Sequence, residues 1–428
     1  MDLGERIRAV PGMERLLAVV PEAPACHLVG GPVRDLLLEL EPVDLDLCTE
    51  GDAPALALSL AERLGGAARV HDAFGTATVR APGLVFDLAR TRRERYERPG
   101  ALPVVEPASL EEDLGRRDFT VNAMAAALTG PEAGEVVDLH GGLDDLDARL
   151  VRVLHPGSFL DDPTRLLRAV RYAARLGFAL ERGTEDLSRE AVAAGALATV
   201  SGPRVRDELL DLLREPARRD AVARLADLGI LGALEPGFGA GADSAARPAG
   251  PLGLDGEPAP AGLVHAAAQA AGSVGADPVL AALAALVLPL GGDAEGWLAW
   301  LGLPAGPRTR TARAARRAPE LAAALAEPME ASALHALLHP EPAEALALAL
   351  ALGAPEGPVR RFRDELRDVR LEVTGRELIA AGVPPSPRLG RALEETLRRK
   401  LDGRVSGRDE ELRAALEVAR ADDDGAQP

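Results

Sequence analysis

The segment Leu28-Val29-Gly30-Gly31-Pro32-Val33-Arg34-Asp35 constrains this chain more than any other, followed nine residues after its last aspartate by Asp44-Leu45-Asp46. A glycine pair lets backbone N–H groups approach a phosphate with no Cβ in the way. Arg34 adds a planar fork of donors for phosphate oxygens. Residues i and i+2 of a strand face the same side, so Asp44 and Asp46 converge on one cation pair. All-oxygen ligands of this kind suit Mg²⁺, which takes one or two carboxylates and completes its shell with substrate phosphates. The same spacing also fits a strand edge with one carboxylate in a turn. The pattern thus points to a nucleoside triphosphate with its metal ions, or to an ordinary strand edge.

A chain of 428 residues is too long for one core and implies two to four domains. Two cysteines, Cys26 and Cys48, are too few for a disulfide framework or a structural zinc site, which fits a reducing compartment. The N-terminus shows no charged-then-apolar signal segment and the chain no long uninterrupted apolar run, so the cytoplasm is the expected location and no membrane partner is expected. The net charge of −18 argues against non-specific nucleic-acid binding by the chain as a whole. Local arginine clusters run against that trend. Arg308, Arg310, Arg313, Arg316 and Arg317 form one; Arg360, Arg361 and Arg363 another; Arg388 to Arg404 a third. Each is either an RNA contact or a solvated helix face.

Residues 1–150 carry the pattern of an α/β domain. Ala25–Val29, Val43–Leu47, Thr76–Val79 and Leu84–Leu88 predict strands, and Leu56–Leu64 a helix. From about residue 158 the pattern is helical. Asp162-Pro163 opens a helix that runs to Gly177, with proline in its first turn and glycine at its end. Residues 236–262, rich in Gly, Ala and Pro, predict a long loop between helical blocks, and Asp422 to Pro428 a frayed end.

Two further segments carry chemistry: Arg116-Arg117-Asp118-Phe119-Thr120-Val121-Asn122 and Asp161-Asp162-Pro163-Thr164-Arg165-Leu166-Leu167-Arg168-Ala169-Val170-Arg171-Tyr172. With the glycine segment they stand in the order and spacing of one family. The chain resembles the bacterial (class II) tRNA nucleotidyltransferases, the CCA-adding enzymes, and their relatives the bacterial poly(A) polymerases. The resemblance is strong over 25–180 and continues more weakly through Ser201–Leu210, Thr374–Ile379 and Pro385–Gly390. It implies an α+β architecture with a polymerase-β-like nucleotidyltransferase head (1–150), followed by an all-α neck (151–215), body (216–353) and tail (354–428).

The resemblance also implies roles. Gly31 and Arg34 would hold the triphosphate, Asp44 and Asp46 Mg²⁺, and Arg117 the nucleotide. Asp162, Arg165, Arg168 and Arg171 match nucleotide-contacting positions. Asp162 and Arg165 share a helix face and offer an acceptor beside a donor. Cytosine and adenine both present an amino donor beside a ring-nitrogen acceptor, so such a pair accepts CTP and ATP and rejects uracil and guanine, with protein as template. The blander alternative makes Asp162 only a helix cap, with Arg165 on the surface. Arg116, Arg117 and Asp118 equally suit a structural ion-pair cluster with Asn122 as a cap. Asp87 is either a third metal ligand, a solvent-facing strand residue or a partner for Arg90.

Arg90–Pro103 resembles the family's flexible loop, which relatives that add only C lack in functional form. The poly(A) polymerase signature Gly-Arg-Arg-Phe is absent from His71–Val79, and His71-Asp72 reads as structural. Three departures from the family pattern are Asp161 and Pro203, each in place of Glu, and Ser386 in place of Gly; Pro203 puts the local helix start in question. The implied activity is addition of C and A to the tRNA 3′ end, with A-only addition, poly(A) synthesis and a non-catalytic RNA-binding role as alternatives. The implied partner is tRNA, held through its acceptor arm and elbow by the helical half.

Overall fold

The computed structural model describes residues 2–71, 75–234 and 259–424. They belong to two compact units, Met1–Ala246 and Arg247–Pro428. Asp72, most of the predicted 236–262 loop and the last four residues lie outside the described residues.

The first unit is built on a seven-stranded sheet: β1 (Cys26–Val29), β2 (Asp46–Thr49), β3 (Ala67–His71), β4 (Thr76–Ala81), β5 (Leu84–Arg90), β8 (Met124–Ala127) and β9 (Val136–Asp138), in the order β3-β4-β5-β2-β1-β8-β9. Only the β2–β5 pair is parallel. Alternation along β5 shows why these residues form a strand: Leu84, Phe86 and Leu88 are buried, while Val85 and Asp87 face outward. The helix Ala53–Leu64 covers β3, β4 and β5 with Ala57, Leu60, Ala61 and Leu64. The Asp52 carboxylate caps it by accepting from Ala55 N–H at 3.0 Å, and Gly65 closes it at φ 68°.

Two sequence expectations shift. β2 begins at Asp46, not Val43, so Asp44 stands on the bend before it. Arg90–Pro103 is largely a hairpin: β6 (Arg92–Arg95) pairs antiparallel with β7 (Val104–Pro107), and residues 96–103 form its turn.

The helix Arg165–Leu176 ends at Gly177 (φ 67°), as predicted. It is stitched to the sheet domain by a short parallel pair, Leu150–Val151 with Ala179–Leu180, and Thr120 ties the segment around Leu150 to the sheet domain. Thr120 N–H donates to the Arg152 carbonyl at 2.9 Å and its hydroxyl to Asp145 at 2.6 Å. Pro203 sits in the first turn of the helix Gly202–Arg214, where no N–H is needed, so it does not displace the helix start.

The second unit is helical. Ala259–Val274, Pro278–Val287, Ala305–Leu325 and Ala343–Ala351 pack through alanine-rich faces that allow close approach. The apolar stretch Pro278–Trp300, of mean hydropathy 1.5, is broken at Gly291 (φ 57°) and half-buried in this packing. Arg313 and Arg317 both clasp Glu341 at 2.8 Å, and Arg310 lies 3.6 Å from Glu344. Much of the predicted Arg308–Arg317 RNA patch is therefore an internal ion-pair ladder. In the last block, Arg398 and Arg399 pair with Glu395, and Lys400 with Glu411.

A Cβ on Gly66, between the Ala53–Leu64 helix and β3, would lie 2.3 Å from the Arg80 carbonyl oxygen and 2.8 Å from Ala81 Cα. Those atoms are backbone and cannot swing aside. Gly66→Ala is expected to destabilise the first unit by ~1–3 kcal/mol, read as a fall of several degrees in its thermal transition.

Candidate active site

Gly30 adopts φ 75°, ψ −128°, and its N–H donates to the Met124 carbonyl at 2.9 Å. That conformation suits glycine alone. It brings the Arg117 guanidinium against Gly30, where a Cβ would lie 2.6 Å from Nη1. Arg117 Nη2 donates to Asp113 at 3.0 Å, and its buried Nε–H has no partner among the described residues. Asp113 is 2% exposed and also takes Arg116. Burial pushes its carboxyl up, but Arg117 and Arg116 outweigh this and hold it below the usual range. A guanidinium fixed by a buried acid beside a glycine turn has the chemistry of an anion site.

The strand ladder sets Asp46 directly opposite Asp87. Both side chains leave the same face, and Thr78 donates its hydroxyl to Asp87 at 2.5 Å. The Asp46 carboxyl is pushed above its ordinary value. Enclosure contributes most and Asp87 next; Arg117 opposes, and Asp44 adds to the rise. Asp46 and Asp87 thus face each other across the ladder, with Arg117 opposing their charge. Paired carboxylates of this kind have the chemistry of a divalent-cation site. No group of three metal-binding side chains exists among the described residues; an ion held here would take its remaining oxygens from water or a bound phosphate, as Mg²⁺ commonly does.

A cavity of about 300 Å³ opens beside Asp46. Of the residues singled out in the sequence it brings together Gly31, Asp46, Arg117, Asp162, Arg165 and Arg168. Asp162 and Arg165 do not bond each other through their side chains. Asp162 Oδ1 accepts from Thr164 N–H at 3.0 Å, Thr164 Oγ1 at 2.7 Å and Arg204 Nη2 at 2.8 Å, while no bond to Oδ2 occurs among the described residues. Arg165 is 5% exposed and held by uncharged partners, Ser158 Oγ at 2.7 Å and the Arg116 carbonyl at 2.8 Å. Its charge is not cancelled, and it keeps donors in reserve. A fixed acceptor and a fixed donor therefore line one wall. Capping and presentation coexist at Asp162, with Thr164 as the helix N-cap.

Arg34, Arg168 and Arg171 differ from the sequence expectation. Arg34 is 2% exposed, with its fork on Asp35 and on Asn122 Oδ1. Arg171 is 8% exposed and bonded to Glu208 at 2.9 Å. Neither lines the cavity. Arg168 does, but most of its donors go to Asp118, Glu208 and Tyr172. All three guanidiniums pack on the Tyr172 ring, at 5.2, 5.4 and 5.0 Å from its centroid. All three brace the wall through ion pairs and ring contacts, and Arg168 also lines the cavity.

Sequence reasoning missed Tyr96 and Arg204. Tyr96, the one aromatic in the hairpin turn, lines the cavity and donates to Glu94 at 2.9 Å. Arg204 holds Asp162 with one arm and the Gly100 carbonyl, at 3.1 Å, with the other. It lies in the Ser201–Leu210 segment that carried the weaker resemblance, which was the available signal.

The model of the poly A polymerase head domain matches residues 26–152, and that of the probable RNA and SrmB-binding site of polymerase A matches 177–240. A CC-adding tRNA nucleotidyltransferase of Deinococcus radiodurans is 37% identical over 396 residues, covering 91% of this chain and 89% of the relative. This chain belongs to the tRNA nucleotidyltransferase and poly(A) polymerase family. An A-adding tRNA nucleotidyltransferase of Geobacter sulfurreducens is 46% identical over 211 residues, which are 49% of this chain and only 24% of that relative's length. The solved Thermotoga maritima CCA-adding enzyme complexed with tRNA_CCA superposes with a TM-score of 0.71 at 28% identity, covering 94% of this chain and 98% of that one. The family's sheet head and helical continuation are both present here.

Because the folded state raises the Asp46 pKa, ionised Asp46 destabilises the fold at every pH above that raised value, and the penalty vanishes below the unfolded carboxylate pKa of about 4. Asp46→Asn is therefore expected to melt slightly higher than the parent at pH 7.5, with the gap closing as pH falls below about 4. Parallel melts across that range check the sign.

Proposed function

We propose that this protein adds C and A nucleotides to the 3′ end of tRNA from CTP and ATP without a nucleic-acid template, in the cytoplasm. The observation that carries the reading is the single cavity that joins Asp46, the Gly31–Arg117 anion cradle and the Asp162–Arg165 wall. Catalysis on this reading is positional and electrostatic, with no covalent enzyme intermediate. Arg117 and the glycine backbone hold the triphosphate. Asp162 Oδ2 accepts from the base amino group, and Arg165 donates to the adjacent ring nitrogen. Uracil and guanine place a keto oxygen against the Asp162 carboxylate and leave it unpaired in a half-buried site. Asp44 and Asp46 would hold Mg²⁺, which supplies positive charge at the reacting phosphate and favours ionisation of the attacking 3′-hydroxyl. On the same reading the chain is organised as head 1–150, neck 151–215, body 216–353 and tail 354–428.

A second reading, addition of CC alone, is favoured by the Deinococcus relative, which matches nearly the whole chain. Against it stands the ordered hairpin β6–β7, whose turn places Tyr96 in the cavity and Gly100 on Arg204.

Extension of tRNA transcripts ending before CCA, after C and after CC, with CTP, ATP or both, separates the readings. Extension of all three to one CCA end is the expected result. Arrest after CC establishes CC addition, and extension of only the CC-ended transcript by one A establishes A addition. Long A tails point to poly(A) synthesis. RNA binding with no incorporation leaves a non-catalytic module. Asp46→Asn is expected to lose at least ~100-fold in incorporation rate.

Arg204→Ala removes the charged partner of Asp162 and the clasp on Gly100 together. The Michaelis constants for CTP and ATP are expected to rise by about tenfold and misincorporation of UTP to increase, with a smaller change in kcat. Unchanged base selectivity would make Arg204 a purely structural residue.

A further inference from the structure

In the second unit two arginines with no acid partner among the described residues, Arg367 and Arg370, border one cavity. The unit's helical packing encloses this cavity, of about 300 Å³, between the end of Ala331–Leu338, the start of Ala343–Ala351 and the segment Phe362–Arg370. The floor is apolar, from Leu338, Leu346 and Phe362, and the rim carries Arg363, Arg367, Arg370 and His339. Charges on this rim are unevenly paired. Arg363 is clasped by both oxygens of Asp364, at 2.6 and 2.9 Å. Glu341, the acid nearest the floor, is covered by Arg313 and Arg317. Arg370 spends Nη1 on the Arg367 and Val369 carbonyls, at 3.0 and 2.9 Å, and meets no carboxylate among the described residues. Arg367 has no side-chain partner among the described residues. Asp368 is the one rim acid with no cation on it, so the rim keeps a positive excess.

Two local features mark the place as built for more than packing. Arg367 N–H donates to the Phe362 carbonyl at 2.7 Å, five residues back, so Phe362–Leu366 is a π-helical turn. Such turns cost regular helix bonding and are frequent at functional sites. His339 stacks on His335 with ring centroids 4.6 Å apart. Burial, His339 and Arg370 all push the His335 pKa down, so the ring behind His339 stays uncharged.

We infer that this cavity is a phosphodiester site for the RNA substrate, with Arg367 and Arg370 on the phosphate and the apolar floor under the adjoining sugar or base. The inference rests on the reading of the chain as a tRNA-modifying enzyme. It assigns RNA contact to Arg367 and Arg370 rather than to the arginine clusters of 308–317 and 388–404, many of whose charges are consumed internally. In a chain of net charge −18, RNA is repelled over most of the surface, so an uncompensated guanidinium pair in a concave site sets the register of docking.

The test is the double variant Arg367→Gln/Arg370→Gln, with Arg367→Lys/Arg370→Lys beside it and thermal melts to confirm folding. Filter binding of tRNA across a salt series is expected to show a Kd about tenfold higher for the Gln pair. The slope of log affinity against log salt is expected to fall by about 1–2, with most affinity restored in the Lys pair. The Michaelis constant for CTP should not move. An unchanged Kd and slope overturn the site while leaving the proposed function intact. Loss of a second CTP- or inorganic-phosphate-binding event in equilibrium dialysis overturns it in favour of a free anion. Failure of the unmutated protein to bind tRNA at all overturns both the site and the function on which it rests.

Discussion

The contact on which the rest of the site depends is the ion pair between Asp118 and Arg168. Asp118 is 8% exposed and its oxygens are nearly saturated: Oδ1 accepts from Phe119 N–H and Asn122 Nδ2, and Oδ2 from Arg168 Nε and Nη2 at 2.9 and 2.7 Å. Burial pushes the carboxyl up, but Arg168 and Asn122 outweigh it and hold it ionised below the usual range. A pair this buried adds little over well-packed apolar residues, yet loss of one partner strands the other at a cost of ~3–5 kcal/mol. Because the Asp118 pKa is lowered on folding, its contribution is full above the ordinary carboxylate value and is lost as pH falls through the folded one.

From that pair two lines of contact run outward. Through Asn122, Asp118 reaches Arg34, which lies beneath the glycine turn and stacks on Tyr172. Through Arg168 it reaches Glu208, which also takes Arg171. Phe119, fully buried, meets the Tyr172 edge with centroids 5.8 Å apart. The glycine turn of the sheet domain and the helix Arg165–Leu176 are therefore one packed body. Their separation is fixed by the same few side chains, which is what a protein needs if it is to read a base with its own groups.

This explains which parts were legible in the sequence. The glycine pair, Asp46, Arg117 and the Asp162–Arg165 spacing are local patterns, and the cavity unites them. Asp44 was misplaced by one structural step: β1 ends at Val29 and turns at Gly30, so β2 finds no partner on that side before Asp46. Pro42 upstream also discourages a longer strand. Arg34 and Arg171 have the residue type of phosphate ligands, and only the positions of Asp35, Asn122 and Glu208 show that Arg34 spends its fork internally and that Arg171 is ion-paired while its Nε–H stays without a partner among the described residues. The 308–317 cluster looked like an RNA patch because Glu341 and Glu344, which absorb much of it, lie later in the chain, just before and within the helix Ala343–Ala351. Partners distant in sequence decide whether an arginine is free, and composition carries no trace of them.

Arg204 shows how rigidity and adjustability meet in one group. Its two arms tie the base-facing Asp162 to the turn of the β6–β7 hairpin. The turn itself is locked against the Thr199 backbone, where Gly100, at φ 70°, leaves no room for a Cβ. Asp162 cannot shift without breaking a charged hydrogen bond to Arg204, and Arg204 cannot follow it without releasing the Gly100 carbonyl. On the proposed function, a wall that tells an amino group from a keto oxygen, yet fits both a one-ring and a two-ring base, is served by such a joint, in which one guanidinium holds both the Asp162 carboxylate and the hairpin turn.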